Sequence, residues 1–66
     1  MNIELRFLQK AIEDKNYVNF TYENKKYTRV QPIKLICEDL YYYLHLKNEV
    51  LEFKKIKKLQ ISKEKF

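Results

Sequence analysis

Three consecutive tyrosines, Tyr41, Tyr42 and Tyr43, followed closely by the single histidine, His45, are the densest group of chemically capable side chains in this 66-residue sequence. In an extended strand successive side chains point to opposite faces. Tyr41, Tyr43 and His45 would then share one face, and Tyr42, Leu44 and Leu46 the other. If the leucines are core, Tyr42 is core with them, and Tyr41, Tyr43 and His45 are left to meet a ligand. His45 suits ordinary packing equally well. Downstream lie Lys55, Lys57 and Lys58. Lysines beside tyrosines suit single-stranded nucleic acid: phosphates meet the ammonium groups, and bases stack on the rings.

The other reactive residue types are sparse. Ser62 is the only serine, and neither Cys37 nor His45 has a third partner at a spacing that suggests a nucleophilic relay. The acidic pairs Glu13-Asp14 and Glu38-Asp39 fall at a helix end and a turn, both ordinary solvated positions. Glycine is absent, which excludes a phosphate loop, a dinucleotide fingerprint and a nucleophile elbow. One cysteine and one histidine exclude a disulfide framework and a four-ligand zinc site. The residues indicate a binding module with no cofactor rather than an enzyme.

The elements that must position these residues follow from periodicity. Residues 2–15 read as an amphipathic helix, with Ile3, Phe7, Leu8, Ala11 and Ile12 on one face. Asn2 is the expected N-cap, and Asn16 the left-handed residue that ends the helix. Period-two patterning then predicts strands at about 17–22, 26–37, 40–47, 50–54 and 59–62. Val18, Phe20 and Tyr22 share a face, which makes Tyr22 a core residue. Pro32 imposes a bend, bulge or edge position on the second strand. Without glycine, the turns fall to Asn24, Asp39 and Asn48, and Ile56–Lys58 reads as a single helical turn. The expected fold is α+β and mostly β. An N-terminal helix precedes a five-stranded antiparallel Sm-like small β-barrel, which uses every apolar face and limits exposed edges.

Size sharpens the picture. A chain this short buries only about 60% of its unfolded surface, so stability is marginal and a homo-oligomer or a regulatory protein partner enters as an alternative. The 45% hydrophobic and 15% aromatic content still requires a packed core. Cys37, in the apolar stretch Ile33–Cys37, is expected to be a small buried hydrophobe in a reducing cytoplasm. The charged N-terminus has no signal-peptide core, and the apolar run Leu40–Leu44 is too short to span a bilayer, so no membrane role is expected.

Taken in order, Leu8-Gln-Lys-Ala11-Ile12, Val18-Asn-Phe20-Thr-Tyr22, Arg29-Val30-Gln-Pro32, Tyr42-Tyr43-Leu44 and Lys55-Ile56 resemble the WYL domain over about residues 8–61. That family has an Sm-like barrel. It usually forms the sensory part of bacterial transcription regulators, and it is thought to bind nucleic acid or nucleotide-like ligands through a basic, aromatic-lined surface. The resemblance puts the family tripeptide on Tyr42, Tyr43 and Leu44, its arginine before the proline on Arg29, and its Asp-Arg-Ile on Lys54, Lys55 and Ile56. His45 falls where the family often has polar ligand contacts. Tyr42 stands in place of tryptophan, and Lys55 in place of an arginine whose planar fork grips phosphate. No helix-turn-helix fits in 66 residues, so the resemblance implies a freestanding module.

Charge sits unevenly. The net charge is −1 over residues 1–24, +1 over 25–53 and +5 over 54–66. The last thirteen residues therefore carry a charge equal to the whole excess, beside Lys55. The plainer account of such a terminus is a solvated face. The functional account makes Arg29, Tyr41, Tyr43, His45, Lys55, Lys57 and Lys58 a surface for single-stranded DNA or RNA, or for a nucleotide-like ligand.

Overall fold

A computed structural model describes residues 3–66. Among these residues the chain forms one helix and six strands: α1 (Ile3–Asp14), β1 (Asn16–Tyr22), β2 (Lys25–Val30), β3 (Lys34–Glu38), β4 (Tyr41–His45), β5 (Val50–Glu52) and β6 (Ile56–Lys65). A 3-10 turn, Phe53–Lys55, separates β5 from β6. The strands make two antiparallel three-stranded sheets, ordered β2-β1-β6 and β3-β4-β5.

The closed five-stranded Sm-like barrel expected above is therefore not formed. The expected strand 26–37 divides at Pro32 into β2 and β3, which belong to different sheets. Proline has no N–H to give a ladder, and Pro32 is itself buried as the chain crosses between sheets. The sheets remain unpaired at the other crossing too, where the 3-10 turn interrupts the backbone between β5 and β6.

Two side chains tie the sheets together instead. The Tyr22 hydroxyl accepts the Glu52 N–H at 3.1 Å, and the Tyr27 hydroxyl donates to the Glu49 carboxylate at 2.9 Å. Between the sheets the core gathers Leu8, Ala11, Val18, Phe20, Leu44, Leu51 and Ile56. Leu8 and Leu44 are fully buried, each contributing roughly 1.5–3 kcal/mol of hydrophobic stabilisation. The Phe20 and Tyr27 rings stack at 4.9 Å, and Tyr22 meets Tyr27 edge-on at 6.3 Å.

The helix covers β1, β6 and the near part of β3. Only Leu8 and Ala11 of its apolar face are buried, while Ile3 and Phe7 stay exposed. The cap expected at Asn2 lies outside the described residues. The left-handed residue at the helix end is Lys15, with φ 57°, and not Asn16, which already belongs to β1. Asn16 is held in place through its side-chain amide, which donates to the Ser62 carbonyl at 3.0 Å.

The missing glycines have a visible consequence. Positive φ falls on Lys15, Glu23, Asn24, Arg29, Asp39, Leu40 and Lys58. Glu23-Asn24 and Asp39-Leu40 are two-residue hairpin tips with positive φ at both positions, as a type I′ turn requires. Arg29 and Lys58 sit at irregularities in the β1 ladders, and the extra Arg29 N–H is satisfied by the Asn19 side-chain oxygen at 2.7 Å. Asn48 needs no such conformation. β4 ends at His45, and residues 46–49 form a longer loop closed by the Leu46 N–H donating to the Glu49 carbonyl at 2.8 Å. The helical turn expected at 56–58 occurs at 53–55, and β6 runs well beyond the expected 59–62.

Cys37 is exposed, against expectation. It pairs with Tyr42 near the tip of the β3-β4 hairpin, beyond the layer of Leu44 that the core covers.

Candidate functional site

The register of the second sheet decides which tyrosines are accessible. Leu44 lies opposite Leu35 and Leu51, and all three turn inward. Tyr42 shares their face, while Tyr41 and Tyr43 share the opposite one, where Tyr41 is exposed and Tyr43, like Tyr42, is half-buried. β5 is three residues long, and its last residue, Glu52, lies opposite Tyr43. The chain then leaves the ladder into the 3-10 turn, so Tyr41 has no neighbour from β5. The space left is a cleft of about 430 Å³ lined by Leu40, the three tyrosines, Glu52, Phe53 and Lys54. Its mouth is marked by Lys54, whose ammonium lies 4.8 Å from the Tyr41 ring centroid.

A second cleft of about 400 Å³ lies alongside, lined by Thr21, Glu23, Asn24, Lys54, Lys55 and Lys57. Lys54 belongs to both. Lys57 is held there because it pairs with Thr21 in the β1-β6 ladder. One end of the combined surface is thus aromatic, and the other carries three lysines.

The lysines are not equivalent. The Lys55 ammonium is 3.7 Å from Glu23 and 3.6 Å from Glu52. Glu23 first, then Glu52, hold its pKa above the ordinary lysine value. Lys55 therefore stays charged, but two carboxylates already neutralise much of its field. Among the described residues no ion pair engages Lys54, Lys57 or Lys58. Lys54 and Lys57 are the cations available to a phosphate in the second cleft.

Of the residues singled out from the sequence, the fold brings Tyr41 and Tyr43 to the first cleft and Lys55 and Lys57 to the second. It does not bring the other three there. His45 is half-buried at the opposite end of β4, between Lys34 and Val50. Arg29 is engaged elsewhere: its guanidinium lies 4.6 Å from the Tyr17 ring centroid and 3.1 Å from the Glu64 carboxylate. Tyr17 in turn meets Phe66 at 5.4 Å, so Arg29 links β2 across β1 to the end of β6. Lys58 sits at a ladder irregularity and lines neither cleft.

Lys54, Phe53 and Leu40 were missed. The Phe53-Lys54 pair had a signal, an aromatic followed by a lysine run after a short strand. Placing it opposite Tyr41 required the position of the 3-10 turn.

The basic terminus also has a structural role. β6 is a ten-residue edge strand carrying Lys57, Lys58, Lys63 and Lys65. Lysines along an edge oppose pairing with other chains, which accounts for Lys63 and Lys65 without any ligand. Among the described residues no group of histidine, cysteine and carboxylate side chains is placed to hold a metal ion, and no helix is long and apolar enough to cross a membrane.

Comparison of the chain with protein-family models, with curated proteins and with solved structures finds no match.

Proposed function

We propose that this chain is a small binding module for single-stranded nucleic acid or a nucleotide, serving a regulatory role in the cytoplasm rather than catalysing a reaction. The carrying observation is that Lys54 lines both clefts. A base held against Tyr41 would have its phosphate within reach of Lys54, and Lys57 offers a second cation to the next phosphate. Stacking on an aromatic contributes about 1–3 kcal/mol per base and tolerates any sequence. The resemblance of the Tyr42-Tyr43-Leu44 and Lys55-Ile56 stretches to the WYL domain supports the same ligand class. The exposed thiol of Cys37 suits a reducing compartment.

Titration with single-stranded DNA and RNA at two salt concentrations tests the reading. Affinity should fall with salt, with a logarithmic slope of about −0.7 per phosphate neutralised. No binding to either strand at about 50 mM salt would overturn it.

A protein-interaction role is the second reading. It draws on the exposed Ile3 and Phe7 of α1, of which Phe7 lies beside Ile61 of β6. Light scattering over a range of concentrations tests self-association through that face, and a monomer throughout would count against self-association.

A further inference from the structure

Leu40 combines two costs that the fold itself does not recover. Its side chain is 93% exposed, and its backbone is left-handed, with φ 73°. Left-handed geometry brings Cβ against the following carbonyl oxygen, and two-residue hairpin tips favour glycine or asparagine for that reason. A leucine there is strained, and its apolar surface gains nothing from water-exposed placement. It is neither part of the core nor packed against it. Beyond closing the hairpin tip, it lines the aromatic cleft with Tyr41, Phe53 and Lys54.

We propose that Leu40 is the apolar cover for a nucleobase held on Tyr41, an inference that rests on the nucleic-acid reading above. The base lies on the Tyr41 ring, its phosphate faces Lys54, and Leu40 packs on the base from the hairpin tip. Leucine has no hydrogen-bonding group, so this contact is indifferent to base identity. It also does nothing for a phosphate chain that carries no base. The strain in the free protein is retained because the side chain becomes buried only when a base is present.

The test compares the full chain with Leu40→Asn, Leu40→Gly and Leu40→Met. Each is titrated with a twelve-nucleotide oligothymidylate and with inorganic polyphosphate at about 50 mM salt, and each is melted. Leu40→Asn and Leu40→Gly should raise Tm by about 4 °C or more. They should weaken oligothymidylate binding by about fivefold or more and leave polyphosphate binding unchanged. Leu40→Met should bind oligothymidylate as the parent does. Unchanged oligothymidylate affinity in Leu40→Asn would overturn the cover while leaving the nucleic-acid reading intact. A lowered Tm would make Leu40 a structural residue and also overturn it. A parent chain that binds polyphosphate but not oligothymidylate, or neither, would remove the nucleic-acid reading and the cover together.

Discussion

The Lys54 ammonium rests 4.8 Å from the centre of the Tyr41 ring, joining a residue at the start of β4 to one in the 3-10 turn after β5. An exposed cation–π contact of this kind contributes about 0.5–1 kcal/mol. Its larger consequence is to hold a positive charge that no carboxylate among the described residues neutralises over one face of an exposed aromatic ring.

That pairing makes the two side chains separable in a binding measurement. Tyr41→Ala should cost about 1–3 kcal/mol of oligonucleotide affinity, with the salt dependence unchanged. Lys54→Ala should also flatten the logarithmic salt slope by about 0.7. Titrations over a salt series distinguish the two. Equal slopes for the parent and Lys54→Ala would mean that Lys54 meets no phosphate.

Arg29 and Lys58 offer the contrasting case. Neither lines a cleft, and Arg29 is engaged with Glu64 and Tyr17. Arg29→Ala should lower stability by up to about 1 kcal/mol, as expected for an exposed ion pair, without changing oligonucleotide affinity. Lys58→Ala should change neither affinity nor salt slope. Loss of affinity in either variant would extend the binding surface well beyond the two clefts.

The Tyr22 hydroxyl is the acceptor for the Glu52 N–H, across the gap between the sheets. Tyr22→Phe keeps the ring and leaves that part-buried amide without its acceptor. The expected loss is about 1 kcal/mol, read as a lower urea midpoint at constant m. An unchanged midpoint would show that this bond does not help hold the sheets together.

Tyr27 sets a pH dependence. Burial, and then its hydrogen bond to Glu49, hold the phenol pKa above its ordinary value. The folded state therefore keeps this proton more tightly than the unfolded chain does. That contribution to stability is complete below the ordinary tyrosine value of about 10 and is lost as pH rises through the raised value. Tm should decline above about pH 10, and less steeply in Tyr27→Phe. Parallel declines in both proteins would place the titrating group elsewhere.

Lys15 ends α1 with φ 57°. Glycine is the residue that this position favours. Lys15→Gly should raise stability by about 0.5–1 kcal/mol once the added freedom of the unfolded chain is discounted. Thermal melting checks the sign, and a lower Tm would mean that the Lys15 side chain makes a contribution larger than its backbone strain.

The apolar and polar alternation of single elements was legible before any fold was known. The helix face containing Leu8 and Ala11, the inward set Val18, Phe20 and Tyr22, and the separation of Tyr42 from Tyr41 and Tyr43 all follow from periods of 3.6 and 2 residues. So did the turns at Asn24 and Asp39. Pairing across the chain was not legible in this way. Pro32 has no N–H to donate, and whether that merely bends a strand or divides two sheets depends on which strands lie beside the residues on either side of it. Cys37 read as core because its neighbours are apolar, yet a hairpin can extend past the layer that covers it.

The sequence alone thus determined the local periodicities, the excess of charge near the C-terminus and, through the absence of glycine, the need to place other residues at left-handed positions. Each of these is a property of a residue and its near neighbours. Only the tertiary structure decided that two sheets stay open to one another, that Lys55 lies between Glu23 and Glu52, and that Lys54 meets Tyr41. Those outcomes depend on where a three-residue strand stops pairing and a 3-10 turn begins. That point is set by packing between segments distant in the chain, and no local pattern encodes it.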